Sequence, residues 1–121
     1  MCMAIPLNSG RHSKTRILQN ILESILGSSG RIALEYHLNR ILGEEPLQVF
    51  LENPRKFYEA LREIFGENGA GVTFKLLCGK LAELSKAVYP TPEDLFELML
   101  KDEKAARREI RKLIGEAMGR G

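Results

Sequence analysis

The sequence predicts an all-α fold of five or six helices, in which two repeated helical hairpins pack as a compact bundle with a C-terminal amphipathic helix. A turn-like segment, residues 22–30, returns in residues 61–69 with the same arrangement of glycines. Hydrophobic residues make up 44% of the chain and recur at helical spacing, whereas aromatic residues make up 7%. No segment shows the sustained period-two alternation that marks a β-strand. Together these observations favour helices over a sheet.

Each copy of the repeated segment indicates a helix, a tight turn and a second helix. The residues that we assign to the two turns are Gly27, Ser29, Gly30, Gly66, Asn68 and Gly69. The first glycine of each copy follows an apolar run, where a helix commonly ends in the left-handed conformation that glycine adopts at little cost. The polar residue two positions later is predicted to be the N-cap of the next helix, because its side chain can accept from a free backbone N–H.

The length of 121 residues is enough for one domain with its own hydrophobic core. Residues 1–12 are predicted to be a flexible N-terminal segment, and residues 13–121 a single helical domain. Within this domain we expect the first hairpin over residues 13–43, the second over residues 53–88 and the C-terminal helices over residues 91–118.

Start and stop signals place the first elements in order along the chain. Ser13 is the predicted N-cap of the first helix, and Gly43 the predicted stop of the second. A short helix is expected to follow Pro46. Asn53 and Pro54 then form a strong start signal, because a capping side chain precedes a proline whose missing N–H costs nothing at the first helical position.

Helical spacing also predicts which side chains of the second hairpin are buried. The predicted stripe before the turn is Phe57, Leu61, Ile64 and Phe65. The predicted stripe after the turn is Val72, Leu77, Leu81 and Leu84. In the same stretch Gly79 weakens the helix by roughly 1 kcal/mol relative to alanine, and its small size favours a close helix crossing.

The last helices carry their own signals. Thr91 and Pro92, followed by two acidic residues, predict a capped helix start whose acidic first turn complements the helix dipole. Asp102 is predicted either to cap a final helix or to mark a kink.

The net charge is only +2, but basic residues concentrate near both ends of the chain. Near the N-terminus these residues are Arg11, Lys14 and Arg16. On the predicted C-terminal helix the basic residues Lys101, Lys104, Arg108 and Arg111 recur at spacings of three and four and share one face. The opposite face carries Ala106, Ile110, Leu113 and Ala117. The preferred interpretation is a solvated face on a helix that packs its apolar side against the core. The alternative is an interaction surface for an acidic partner.

No motif in the sequence predicts a catalytic residue, a cofactor or a metal site. His12 and His37 are isolated, and no cysteine–histidine spacing indicates metal ligands. Cys78 falls near an apolar helix face, which favours a buried structural thiol over a nucleophile. Together with Cys2 it is expected to stay reduced in a cytoplasmic protein that has no membrane segment.

Two nucleic-acid motifs are considered and set aside in favour of a plain helix–helix turn. Residues 27–30 have the spacing of the GxxG loop of KH domains, but neither middle residue is basic and the second copy has Glu67 there. A DNA-binding helix-turn-helix requires a small residue four positions before the turn glycine, where this chain has Glu23 and Arg62.

The pattern of turn and core residues resembles the Nitrosopumilus output domain 5 family over roughly residues 14–86. The residues that carry the resemblance are Leu26, Gly27, Gly30, Leu38, Asn53, Pro54, Phe57, Leu61, Ile64, Phe65, Gly66, Gly69, Ala70, Leu77 and Leu81. Pro54 to Ala70 is the most specific part. The resemblance implies an all-helical archaeal domain, sometimes attached to signalling modules as an output element, and it brings no catalytic motif.

We therefore expect a non-enzymatic protein-interaction or regulatory module, in the manner of a signalling output domain. The expected partner is another protein or a second copy of the chain, with no membrane contact. The alternative is a nucleic-acid-associated regulator that binds through its basic termini, Arg11, Lys14 and Arg16 together with the basic C-terminal face.

Overall fold

The computed structural model describes residues 9–87 and 90–119, with side chains for residues 14–87 and 90–118. In these residues the fold has no strand and consists of the helices α1 (Ser9–Leu42), α2 (Pro46–Glu52), α3 (Pro54–Ser85), α4 (Pro92–Lys101) and α5 (Glu103–Gly119). The predicted all-α fold is confirmed, with five helices. Helix α3 contacts each of the other four and lies at the centre of the bundle.

The ends of the two hairpins differ from the predicted ones. Helix α1 begins at Ser9, so residues 9–12 are helical rather than part of a flexible segment, and Ser13 lies inside the helix instead of capping it. No proline interrupts residues 9–13, so the helix can extend over them. Helix α3 ends at Ser85, short of the predicted residue 88. Residues 1–8 and 88–89 lie outside the described residues.

Each of the two long helices is interrupted at one glycine. Gly27 in α1 has φ 80° and ψ 168°, and Gly66 in α3 has φ 79° and ψ 175°. The positive φ agrees with the prediction and favours glycine. The ψ values are extended and disagree with the prediction, because a left-handed helix end has ψ near about 47°. Each predicted hairpin is therefore present as two helical arms that meet at a single non-helical glycine.

The break bends the helix sharply enough to require a second glycine. A Cβ atom on Gly30 would lie 2.9 Å from the Cβ of Leu26, and one on Gly69 would lie 2.7 Å from the Cβ of Phe65. In a straight helix, Cβ atoms four residues apart are separated by about 5–6 Å. The two glycine pairs therefore give both helices the same local geometry.

Ser29 and Asn68 are not N-caps, contrary to the prediction. Within α1 and α3, only Gly27 and Gly66 leave the helical region of backbone conformation. The helix therefore resumes at the next residue and already includes both polar side chains. The residue that leaves the helix is the glycine itself, which has no side chain to accept a hydrogen bond.

An ion-pair cluster crosses the bend in α1. Arg31, after the break, lies 3.8 Å from the carboxylate of Glu23, before the break, and 3.2 Å from that of Glu35. The corresponding positions after the break in α3 hold Ala70 and Phe74, both of which are fully buried. The two helices thus share a bend but support it with different contacts.

Prolines start α2 and α4 as predicted, and a side chain caps each of these helices, although the sequence predicted the cap of α4 only. Pro46 is the first residue of α2, and the carboxylate of Glu45 before it accepts from backbone N–H groups in the first turn. Pro92 is the first residue of α4, where Thr91 and Asp94 form a reciprocal capping box.

The stop of α1 and the start of α5 also agree with the sequence signals. Gly43 follows the last residue of α1 with φ 74°, and its N–H donates to the carbonyl of Asn39 at 2.8 Å. The carboxylate of Asp102 accepts from the N–H of Ala105 at 3.2 Å, so Asp102 caps α5. Because its own backbone is non-helical, α4 and α5 are separate helices.

The core is built from leucine with a cluster of aromatic rings. Three side chains of α3 that were predicted to be buried are exposed: Phe65 is 43% exposed, Val72 57% and Leu84 54%. Phe65 precedes the bend, Val72 lies opposite Leu77 and Leu81 on the helix, and Leu84 lies in the last turn. The bend at Gly66 shifts the buried face of α3. One helical repeat along the whole helix therefore does not predict which side chains are buried. Among the side chains that the structure describes, the buried aromatic ones are Phe50, Phe57, Tyr58 and Phe74.

Gly79 allows the close approach expected of it. A Cβ atom at this position would lie 3.3 Å from the Cγ of Pro92, at the start of α4. A side chain at this position would therefore require the Pro92 ring to shift by a few tenths of an ångström.

Helix ends in this fold are joined by side chains that are distant in sequence. The side chain of Asn53 makes no capping bond to α3, contrary to the prediction. The backbone N–H of Arg55 instead donates to the carboxylate of Glu103, in the first turn of α5, at 3.1 Å. The Arg55 guanidinium donates to the carbonyls of Met99 and Leu100 at 3.1 and 3.0 Å. One residue therefore links the start of α3 to the end of α4 and the start of α5.

Replacing Gly66 by alanine should destabilise the protein by about 1–2 kcal/mol, because an L-residue is strained at this positive φ. A Cβ there meets nothing within 4 Å, so backbone strain is the only cause. Gly115→Ala, in an open helical position of α5, is the matched control and should stabilise by about 0.5–1 kcal/mol. Urea unfolding of both variants measures the difference. Equal shifts in the two variants would contradict the strained bend.

Replacing Arg55 by leucine should cost about 1–2 kcal/mol of unfolding free energy, because two carbonyls at the end of α4 lose their donor. Arg62→Leu is the control on the same helix. Arg62 is exposed, and its guanidinium lies 6.0 Å from the Tyr58 ring. We expect this control to cost less than about 1 kcal/mol. Thermal and urea unfolding test both variants, and an Arg55 variant as stable as the control would refute the link between helix ends.

Candidate functional site

The exposed side of α5 is strongly basic. At roughly 100° per residue, its basic side chains fall within one sector of about 140°. These residues are Lys104, Arg107, Arg108, Arg111 and Lys112. The acidic residues Glu103, Glu109 and Glu116 lie at the borders of this sector. On the opposite side Ala106, Ile110 and Leu113 are buried as predicted, and Ala117 is partly buried.

Lys101 does not belong to this face, contrary to the prediction. It is the last residue of α4, and the non-helical backbone of Asp102 separates it from α5. Lys101 instead lines a shallow depression together with Asp94, Glu97 and Glu109. Of the four residues predicted as an interaction surface, the other three remain on one helix and are exposed.

Two arginines of α5 also bind the end of α2. The Nε of Arg111 donates to the carbonyl of Leu51 at 3.2 Å, and a terminal nitrogen of Arg107 donates to the carbonyl of Glu52 at 3.0 Å. The last carbonyls of a helix lack intrahelical donors and carry partial negative charge, so two cations are well placed there. Arg111 therefore has a structural role that its spacing on α5 did not indicate.

Lys14 lies across a cleft from Arg111. This cleft has a volume of about 220 Å³ and is lined by Lys14 from α1, Gln48, Leu51 and Glu52 from α2, and Arg111 from α5. Arg16 is exposed but does not line it. The side chain of Arg11 lies outside the described residues. The fold thus joins one N-terminal cation to the C-terminal basic face, which sequence spacing could not show.

The charges in the cleft are not balanced. The carboxylate of Glu52 accepts from the Gln48 side chain at 2.9 Å. Lys14 and the terminal NH2 groups of Arg111 have no hydrogen-bond or ion-pair partner among the residues that the structure describes. Two cations thus face one carboxylate, an arrangement that can bind a carboxylate or phosphate group.

The other side chains that could act as nucleophiles or metal ligands are not grouped in the described part of the structure. Cys78 is fully buried as predicted, and this burial raises the pKa of its thiol and disfavours the reactive thiolate. His37 is exposed with its ring centroid 5.5 Å from that of Tyr36. Within residues 14–87 and 90–118, no three histidine, cysteine, aspartate or glutamate side chains are grouped as metal ligands would be. Cys2 and the side chain of His12 lie outside the described residues.

Comparison with known proteins identifies a family and no individual relative. No curated protein and no solved structure matches the chain. None of the helices, over the residues that the structure describes, has both the length and the apolarity to cross a membrane. The Nitrosopumilus output domain 5 family matches residues 13–97, a range that includes the resemblance noted over residues 14–86 and stops before α5. The chain belongs to the Nitrosopumilus output domain 5 family.

Proposed function

We propose that this domain is a non-enzymatic interaction module that binds an acidic segment of a partner protein. The binding surface would consist of the cleft between Lys14 and Arg111 and the neighbouring exposed cations Lys104 and Arg108. The family description as an output domain supports a regulatory role of this kind. We place the domain, by the same proposal, in the cytoplasm of an archaeal cell.

The observation that carries the proposal is the unbalanced charge where α1 meets α5. Arg107 and Arg111 are held by the carbonyls of Glu52 and Leu51, so their positions are defined before any ligand binds. A pre-positioned guanidinium loses less conformational freedom on binding a carboxylate than a free one does.

A protein partner fits these charges better than a nucleic acid does. Glu52 lies inside the cleft and Glu109 and Glu116 border the basic sector, so a regularly spaced phosphate backbone would meet like charges. Nucleic-acid-associated binding remains the second candidate. It is favoured by one observation, the meeting of Lys14 with Arg111, which joins the two basic ends of the chain.

Reversing the charges of Lys104 and Arg108 should weaken binding of a fluorescein-labelled poly-glutamate peptide at least about tenfold, because two exposed cations become repulsive. Fluorescence anisotropy across a salt series is the measurement. Neither side chain makes a hydrogen bond or ion pair with the described residues, so the fold should be unaffected.

The control reverses Lys56 and Lys80, two exposed cations on α3, and changes the net charge equally. It also breaks their ion pairs with Glu44 and Glu83, which lie at the surface and contribute little to stability. It should leave peptide affinity within about twofold of wild type. Mixed-sequence duplex DNA and single-stranded RNA are titrated in parallel. Tight binding to either that falls steeply with salt would replace the proposal by the nucleic-acid one. Absence of binding to all three probes, or equal loss in both double variants, would overturn this site.

A further inference from the structure

A second surface lies on another part of the molecule, between the arm of α3 after Gly66 and helix α4. It is a groove of about 410 Å³, here called the α3–α4 groove, lined by Tyr58, Glu67, Asn68, Gly71, Val72, Lys75, Phe96 and Leu100. The ring centroids of Tyr58 and Phe96 lie 5.2 Å apart and form part of its wall.

The groove exposes apolar side chains from two helices. Val72 of α3 is 57% exposed and Leu100 of α4 is 46% exposed. Covering such side chains yields roughly 25 cal/mol for each Å² removed from water. An apolar surface bordered by polar residues is typical of a protein–protein contact.

Opposite charges flank this apolar surface on a single helix. Glu67 and Lys75 each lie four residues from Gly71, on opposite sides of it, so they are separated by about 12 Å along α3. Glu67 has no partner among the residues that the structure describes, and the ammonium of Lys75 lies 5.2 Å from the centroid of the Phe96 ring. Neither charge is neutralised by an ion pair in the described part of the chain.

We propose that the α3–α4 groove is the contact surface for a second copy of this chain, related by a twofold axis that crosses the groove level with Gly71, which is itself buried at the base of the groove. A twofold contact uses the same surface on both copies and must complement itself. Glu67 of each copy would then face Lys75 of the other, because both residues are equally distant from the axis. The two Val72 side chains would meet beside the axis, with Leu100 covering their flanks.

This charge pattern is what favours a second copy over an unrelated partner. An unrelated helix would need a base and an acid at the same spacing in the reverse order, whereas a second copy carries both. The surface differs from the basic cleft of the proposed function, so either proposal can fail without the other.

Sedimentation equilibrium over a concentration series should show a reversible dimer of the wild-type chain. Glu67→Lys and Lys75→Glu, made singly, should each raise the dimer dissociation constant about tenfold, because each places like charges opposite one another twice. The double variant Glu67→Lys with Lys75→Glu restores both opposite-charge contacts and should recover most of the lost affinity. Thermal unfolding of each variant confirms that the fold is retained.

Val72→Asp tests the apolar part of the contact and should abolish the dimer. The matched control is Leu84→Asp, because Leu84 is 54% exposed on the same helix but does not line the groove. It should leave the dissociation constant unchanged. A monomeric wild type, a double charge variant no better than the single ones, or a dimer broken by Leu84→Asp and not by Val72→Asp would each overturn the proposal.

Discussion

The constraint on which the rest of this fold depends is the sharp bend within each of its two long helices. At Gly66 a positive φ redirects the chain, and at Gly69 the absence of a side chain lets the two arms approach, since a Cβ there would clash with Phe65. Gly27 and Gly30 do the same in α1. Because α3 contacts every other helix, the direction of its second arm sets where α4 and α5 can pack.

Once these arms are placed, the helix ends are held by residues far away in sequence. Glu103 accepts from the start of α3, Arg55 donates to the end of α4, and Arg107 and Arg111 donate to the end of α2. Arg107 and Arg111 thus lie on a helix face that looks solvated from its sequence, yet both donate hydrogen bonds to backbone carbonyls. The hydrogen bond of Arg111 also holds its side chain in the cationic cleft beside Lys14. Arg111 therefore contributes both to stability and to the candidate binding surface.

Signals that act over a few residues were sufficient to predict most of the helix boundaries and the all-α fold. Proline at a first helical position, as at Pro92, restricts its own backbone and needs no tertiary contact. The exposure of Phe65 and Val72 could not be predicted, because it depends on how far the chain turns at Gly66. For the candidate site, spacing indicated a basic face on α5 but not the cleft with Lys14, since only the packing of α1 against α5 brings these residues together.

The position of α5 has a consequence for how the domain is delimited. The family match ends at residue 97, yet α5 lies beyond it and supplies the acceptor for Arg55 and the donors for Leu51 and Glu52. A fragment cut at the limit of the match would expose the apolar surface that α5 covers and leave backbone groups of α2 and α3 without partners. The folded unit of this chain therefore extends beyond the residues that match the family. In any relative without α5, other groups must form hydrogen bonds with the same helix ends.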